Sequence, residues 1–146
     1  MKLFFILFLF IVALVQREAG ANDKAVTSPK TSPYRIEERQ GESTPAIVLE
    51  RNAIERLHIT SIKLPRSRNQ PEELRVPSSS VIYDSQGATW VYAQEGKGSF
   101  YRVKVILKRV ESNAALVTFL GEKIVPSMIV DSGVSSLYGT ETGVGK

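Results

Sequence analysis

Residues 76–110 constrain the fold more strongly than any other part of the sequence. The stretch contains three short runs rich in β-branched and aromatic residues, which are Val81–Tyr83, Thr89–Ala93 and Tyr101–Leu107. Two polar, Gly-containing segments separate these runs, Asp84–Ala88 and Gln94–Ser99. Runs of this composition joined by short Gly-bearing turns are typical of consecutive antiparallel hairpins. The stretch therefore predicts a three-stranded antiparallel β-meander.

Side-chain alternation predicts that the two faces of this meander differ. In the second run Trp90 and Tyr92 point to one face, and Val91 points to the other. In the third run the apolar and basic residues alternate; the apolar set is Val103, Val105 and Leu107, and the basic set is Arg102, Lys104 and Lys108. We therefore expect one buried face and one solvated face. Trp90 lies mid-strand between apolar residues and is expected to be substantially buried.

The rest of the chain adds further short elements. Strands are expected at Ala46–Leu49, His58–Leu64 and Ala114–Leu120. Between the first two, residues 50–57 place Ala53, Ile54 and Leu57 on one helical face. A helix of two turns is marginal alone, so it must pack on the sheet. The sequence thus predicts one mostly β domain at residues 46–138, a small antiparallel β-meander or β-barrel-like fold with one short helix.

Residues 1–21 have the pattern of a cleaved signal peptide. Lys2 precedes the uninterrupted apolar run Leu3–Val15, and Ala19–Ala21 supplies the small residues that a signal peptidase reads. A membrane-spanning helix needs about 20 apolar residues, and Gln16 ends this run sooner. The sequence therefore predicts export with a mature chain that begins at Asn22, and retention of the segment as an anchor stays open.

Two polar segments flank the predicted domain. Residues 22–45 lack periodic apolar residues and are rich in Thr, Ser, Pro and charged side chains, a composition that predicts a flexible leader. Residues 139–146 form a Gly-rich segment, which is expected to be a mobile tail.

Composition excludes several kinds of site. The chain has no Cys, so disulfides, thiolate metal sites and a lipid anchor on Cys are excluded. The formal net charge is +4, and the basic residues are scattered along the chain. Binding of nucleic acid is therefore not expected.

No catalytic, cofactor or metal site is predicted. His58 is the only histidine, and nothing in the sequence supplies companion ligands for a metal ion. Ser78–Ser80 lacks the strand–turn–helix elbow of a nucleophilic serine. Gly139–Lys146 lacks the spacing of a phosphate-binding loop. An enzymatic activity is therefore not expected.

Three segments carry a resemblance to a known family. The first is Val76–Tyr83 with its turn and Thr89–Tyr92, the second is Ala46–Ile62, and the third is Val130–Lys146. In this order they resemble the membrane-proximal domain of the periplasmic adaptor subunits, or membrane fusion proteins, of RND-type efflux pumps. In one departure, His58 stands where the family has Gly.

The resemblance implies a binding role without catalysis. In the family this domain lies beside the inner membrane and contacts the periplasmic part of the transporter. The implied partner is therefore an inner-membrane efflux transporter or a full-length adaptor subunit, the implied location is the periplasm beside the inner membrane, and self-association into a homo-oligomer stays open. Arg102, Lys104 and Lys108 are the candidate partner contacts, because exposed charges of this kind guide protein association.

One internal junction departs from the family. In the adaptors the chain leaves this domain to form a β-barrel, a lipoyl-like domain and an α-helical hairpin before it returns. Here only Pro65–Glu73 joins the two halves. The resemblance therefore implies an accessory that docks on a transporter or adaptor and does not bridge to an outer-membrane channel, and a truncated copy of an adaptor stays open as an alternative.

An alternative from another functional class stays open. The protein could be a periplasmic small-molecule or metal-ion binder that uses the same fold. A pocket lined by Trp90, Tyr92 or His58 would favour this alternative, whereas a flat surface of mixed polar and apolar residues would favour docking.

Overall fold

The computed structural model describes residues 32–65, 73–120 and 125–143. The predicted signal peptide, the first part of the predicted leader, most of the Pro65–Glu73 junction and residues 144–146 lie outside the described residues. Everything below concerns the unit formed by residues 31–146.

The described residues contain nine strands and two α-helices. In chain order they are β1 (Tyr34–Glu37), β2 (Ala46–Leu49), α1 (Arg51–Arg56), β3 (Thr60–Lys63), β4 (Leu74–Pro77), β5 (Ile82–Tyr83), β6 (Thr89–Glu95), β7 (Ser99–Val110), β8 (Ala114–Phe119), β9 (Met128–Ser132) and α2 (Val134–Thr142). A single 3₁₀ turn, Ser78–Ser80, links β4 to β5. In the described parts of the chain, neither helix is long and apolar enough to cross a membrane.

All nine strands belong to one open antiparallel sheet organised around β7. The main order is β1-β2-β7-β6-β9-β3, with β5 paired to β6 and with β4 paired to β8. Strand β6 follows one edge of β7 from Ser99 to Val105. The other edge is shared, because β2 pairs with residues 99–101 and β8 pairs with residues 105–110. The sheet therefore forks along this edge, and residues 102–104 lie at the fork.

The predicted meander is confirmed as β5, β6 and β7. The first turn is held by the Asp84 carboxylate, whose Oδ1 accepts hydrogen bonds from the backbone N–H groups of Gln86 and Ala88, both at 2.9 Å. Such side-chain bonds to the following backbone are the reason that Asp is favoured in turns. The fold class is confirmed as a mostly β domain with a short helix, since α1 lies within the predicted helical segment.

The meander is buried on both faces, so the expectation of a single buried face is wrong. On one face of β6 and β7 the buried side chains include Val91, Ala93 and Val103, which pack with residues of β3, β4, β8 and β9. On the opposite face Tyr92 and Phe100 pack with residues of β2 and both helices. The second core forms because α1 and α2 cover one half of this face.

The turn that follows α1 contains a left-handed residue. His58 has φ 50°, and it is the only non-glycine residue with positive φ in the described part of the chain. Side chains make this conformation costly and glycine adopts it freely. The one departure from the resembled motif therefore falls at a position where the backbone itself favours Gly.

The predicted flexible leader is wrong for residues 34–37. Residues 34–37 form β1, which pairs along its whole length with β2. Ile36 is the aliphatic residue of this strand and stays 44% exposed. The strand is therefore held by backbone hydrogen bonds to β2 and by Tyr34, which packs against the second core. Backbone pairing with one anchoring residue leaves no apolar pattern in the sequence.

The predicted tail is wrong for residues 139–142, which belong to α2. The helix lies between Gly133 and Gly143, which are both in the left-handed conformation, with φ 77° and 73°. Val134 and Leu137 bury their side chains in the second core. Tertiary packing therefore outweighs the weak helix propensity of the Gly and Thr residues in this segment.

Candidate functional site

The fork of the sheet leaves a small pocket beside β7. The hydroxyl of Thr44, before β2, donates to the carbonyl oxygen of Arg102 at 2.9 Å. The backbone N–H of Leu120, after β8, donates to the carbonyl oxygen of Lys104 at 2.9 Å. These two bonds close the fork at either end around a pocket of about 250 Å³. We call it the Trp90 pocket; its lining is Glu42, Ser43, Thr44, Trp90, Arg102, Val103, Lys104 and Leu120.

Trp90 forms one wall of the pocket and is fixed by polar contacts. Its indole Nε1 donates to Asp84 Oδ2 at 2.9 Å. The guanidinium carbon of Arg102 lies 4.7 Å from the ring centroid, and the ammonium of Lys104 lies 5.7 Å from it. Trp90 is intermediate in exposure, so most of the residue is buried, as the sequence predicts, and part of it remains accessible at the pocket. It lies beside the fork, beyond the part of the sheet that the helices cover.

The Asp84 carboxylate supports both the turn and the indole. The hydrogen bond from Trp90 is the main cause that lowers the pKa of Asp84 below its ordinary value, and the backbone bonds from Ala88 and Gln86 and the charge of Arg102 add to it. Partial desolvation of the carboxylate acts in the opposite direction. The ionised form is thus the one that holds the indole in place.

Arg102 is part of an internal ion pair, so it is not available as the surface contact that the sequence predicts. Its Nε and Nη2 lie 2.9 and 2.8 Å from Glu141 Oε1 on α2. The two side chains are only 17% and 5% exposed. The alternation of β7 correctly directs Arg102 away from Val103, but α2, which the sequence did not predict, covers it.

Tyr92 completes this internal network. Its hydroxyl donates to Glu141 Oε2 at 2.5 Å, and the residue is fully buried. Burial is the largest cause that raises the pKa of Tyr92 above its ordinary value, and the hydrogen bond to Glu141 and the negative charge of Glu141 raise it further. Tyr92 therefore lies beneath α2 and does not line the pocket. The network joins β6 and β7 to the C-terminal helix.

Beyond the pocket, the face opposite the first core is uncovered. It carries the exposed cations Lys104 and Lys108 and the partly exposed apolar residues Ile106 and Leu120, at 40% and 39%. We call these four residues the outer face. Within the described residues, no carboxylate lies within salt-bridge distance of either lysine. Nearby, Arg75 and Arg109 share the single carboxylate of Glu111, at 2.8 and 3.1 Å.

The other residues considered from the sequence are dispersed. His58 is exposed, and the described parts of the chain contain no group of three or more His, Cys, Asp and Glu residues that could hold a metal ion. In the serine run, the Ser79 hydroxyl donates to the carbonyl oxygen of Asp131. The Ser80 hydroxyl is fully buried without a hydrogen-bond partner. Neither serine has the hydrogen-bonded base that an activated nucleophile needs.

Sequence reasoning missed Glu141, the residue that decides the role of Arg102. Glu141 lies in the predicted tail, and its contact with Arg102 spans 39 residues of sequence. Only an amphipathic reading of Val134 and Leu137 as a helical pair could have drawn attention to this segment.

Comparison with protein-family models, with curated proteins and with solved structures finds no match to this chain.

Proposed function

We propose that the protein is a non-catalytic, periplasmic adaptor-like module of an RND-type efflux system. It docks on the inner-membrane transporter or on a full-length adaptor subunit, and it reaches the periplasm through a cleaved signal peptide. The proposal starts from the order of the motifs at Ala46–Ile62, Val76–Tyr92 and Val130–Lys146. The observation that carries it furthest is the outer face.

The outer face has the chemistry of a docking surface. Apolar side chains at Ile106 and Leu120 lie beside lysines that have no carboxylate partner in the described residues. A contiguous apolar surface with a polar rim is typical of protein-interaction sites. Arg102 is removed from the predicted contact set because it is paired with Glu141. Docking in this proposal therefore depends on Lys104 and Lys108.

The short internal junction defines what kind of accessory this is. Only residues 64–73 lie between β3 and β4, where the adaptors carry a barrel, a lipoyl-like domain and a helical hairpin. Nothing in that interval could extend toward an outer-membrane channel. The proposed role is therefore limited to the inner-membrane side of the assembly.

A small-molecule binder remains the second candidate because the Trp90 pocket exists. Pockets for drug-sized ligands usually enclose about 300–1,000 Å³, and this one has about 250 Å³. It is also bounded by the outer face, with which it shares Lys104 and Leu120. Volume and position both favour a contact within a protein interface over an independent ligand site.

The test is retrieval of the partner from the native host. Tagged mature protein should retrieve an efflux transporter or a full-length adaptor from solubilised membranes, without added metal or nucleotide. The variant Lys104→Glu/Lys108→Glu should retrieve much less, because reversed charges oppose encounter with an acidic surface. Lys63→Glu/Lys97→Glu is the matched control, since both lysines are exposed and lie on other parts of the surface. Retrieval of no transporter or adaptor by the wild type, together with tight calorimetric binding of a small molecule or metal ion, would overturn the proposal.

A further inference from the structure

We infer that the Trp90 pocket receives one apolar side chain from an acidic segment of the docked partner, whose carboxylates contact Lys104. This inference rests on the proposed docking function and specifies how the same surface selects its partner. It follows from the size of the pocket, the rigidity of its wall and the charges at its rim.

The size of the pocket fits a side chain better than a free ligand. At about 250 Å³, it is smaller than the range of about 300–1,000 Å³ that is usual for drug-sized molecules. Protein interfaces commonly depend on a few apolar or aromatic anchors that fill such small pockets. The indole of Trp90 and the aliphatic side chain of Leu120 supply apolar walls for this kind of anchor.

The indole wall is held in place before any partner arrives. Asp84 accepts the hydrogen bond of the indole N–H, and the Arg102 guanidinium lies over the ring at 4.7 Å. Arg102 is itself fixed by Glu141 on α2. A wall that is already ordered lowers the entropy lost on binding, so the pocket is suited to act as an anchor site.

The charges around the pocket favour an acidic partner. Arg102 is neutralised by Glu141, which leaves Lys104 as the unpaired cation of the rim among the described residues. Glu42 lies in the lining as an acidic group. Over the pocket and its surroundings, four cations face three carboxylates; the cations are Arg75, Lys104, Lys108 and Arg109, and the carboxylates are Glu42, Asp84 and Glu111. Because Lys104 and Leu120 belong to both the pocket and the outer face, one segment can contact both.

Intrinsic fluorescence offers a direct assay, since Trp90 is the only tryptophan of the chain. The probe is an acetylated and amidated pentapeptide with a central Leu flanked by Asp and Glu. Titration should shift the emission of Trp90 and the NMR signal of its indole N–H with saturable, weak affinity. Replacing the central Leu by Ser, or the acidic residues by Lys and Arg, should weaken binding by at least about tenfold, which corresponds to roughly 1.4 kcal/mol.

Two protein variants separate a specific rim contact from general electrostatics. Lys104→Glu should weaken binding of the acidic peptide by about tenfold, whereas Lys63→Glu, with the same change of charge at another exposed site, should leave it within about twofold. Thermal unfolding of each variant confirms that the fold is retained.

Several results would overturn the inference. One is the absence of any change in the Trp90 indole signals up to millimolar peptide. Others are that the Ser-centred peptide binds as tightly as the Leu-centred one, or that Lys63→Glu weakens binding as much as Lys104→Glu. If N-acetyl-leucinamide binds as tightly as the acidic peptide, the pocket is a site for small apolar molecules. These assays need no native partner. If a transporter is retrieved but Trp90 does not respond to the peptide, only this inference is refuted. If Trp90 responds to the peptide but no transporter or adaptor is retrieved, only the efflux assignment is refuted.

Discussion

Replacement of Glu141 by Gln tests the contact that holds α2 on the sheet. The carboxylate is 5% exposed, accepts a hydrogen bond from Tyr92 at 2.5 Å and pairs with Arg102 at 2.8 Å. Gln has nearly the same shape, so Glu141→Gln creates no cavity. One amide oxygen can still accept from Tyr92, but the NH₂ group must then face the guanidinium donors. The substitution therefore removes the charge and one acceptor and leaves the packing intact.

The expected loss follows from the burial of the two partners. Hydrogen bonds to charged groups contribute about 1.5–3 kcal/mol, and removal of one partner of a buried ion pair costs about 3–5 kcal/mol. The Arg102 side chain keeps 17% exposure, so water can partly replace the lost partner. We therefore expect Glu141→Gln to lower the free energy of unfolding by about 2–3 kcal/mol. This is a large share of the roughly 5–15 kcal/mol typical of a small domain.

Urea unfolding followed by Trp90 fluorescence measures this loss. The control is Glu55→Gln, because Glu55 is exposed on α1 and has no ion pair in the described residues. It should stay within about 0.5 kcal/mol of the wild type. A value for Glu141→Gln in that same narrow range would refute the proposed role of the network.

A double-mutant cycle assigns the loss to the pair. Arg102→Met removes the charge of Arg102 and keeps an unbranched apolar side chain. If the two residues act together, the double variant should lose at least about 1 kcal/mol less than the sum of the single losses. Strict additivity would show that Glu141 stabilises the helix without the help of Arg102.

Three other predictions concern single side chains. Burial raises the pKa of Tyr92 above its ordinary value of 10.0, so the neutral form favours the folded state. The contribution of Tyr92 to stability should be constant below about pH 10 and fall above it. In urea titrations Tyr92→Phe, unlike the exposed Tyr83→Phe, should reduce that alkaline loss. His58→Gly should raise the free energy of unfolding by up to about 1 kcal/mol, since it relieves the left-handed backbone at φ 50°; a lower melting temperature would contradict this. Ser80→Ala should leave the free energy of unfolding unchanged or raise it, because the buried Ser80 hydroxyl has no hydrogen-bond partner in the described residues. Ser79→Ala should lower it by about 0.5–1.5 kcal/mol, because the hydrogen bond to the Asp131 carbonyl oxygen is lost. Equal losses of stability in the two variants would contradict this prediction.

The meander was predictable because its signals are local. Strands β5, β6 and β7 are neighbours in sequence, and each turn between them carries Gly, with Asp84 closing the first. Strand β1 gave no such signal. Its pairing with β2 satisfies backbone groups, and its residue Ile36 remains exposed. A strand that completes an edge in this way depends on the tertiary structure around it.

The second helix depended on contacts that are distant in sequence. Thr140 and Thr142 donate their hydroxyls to carbonyl groups four residues earlier, within a segment of weak helix formers. The segment is helical because Val134 and Leu137 meet the sheet and because Glu141 reaches Arg102. None of these partners can be identified from the local pattern. The same gap in the prediction explains why Arg102 was expected at the surface.

In the proposed function, the partial cover provided by α2 determines where a partner can dock. The helix packs over Tyr92 and draws Arg102 into an ion pair, which removes both from the surface. It reaches Arg102 at the start of the fork, while Trp90 stays partly exposed and Lys104 keeps a charge with no carboxylate partner among the described residues. The basic stripe predicted along β7 is thereby divided into an internal half that stabilises the fold and an external half that is available for binding. Any partner surface must therefore match the apolar and cationic character of the external half. Because Glu141 fixes and neutralises Arg102 beside the pocket, loss of Glu141 should affect docking through the pocket as well as through stability.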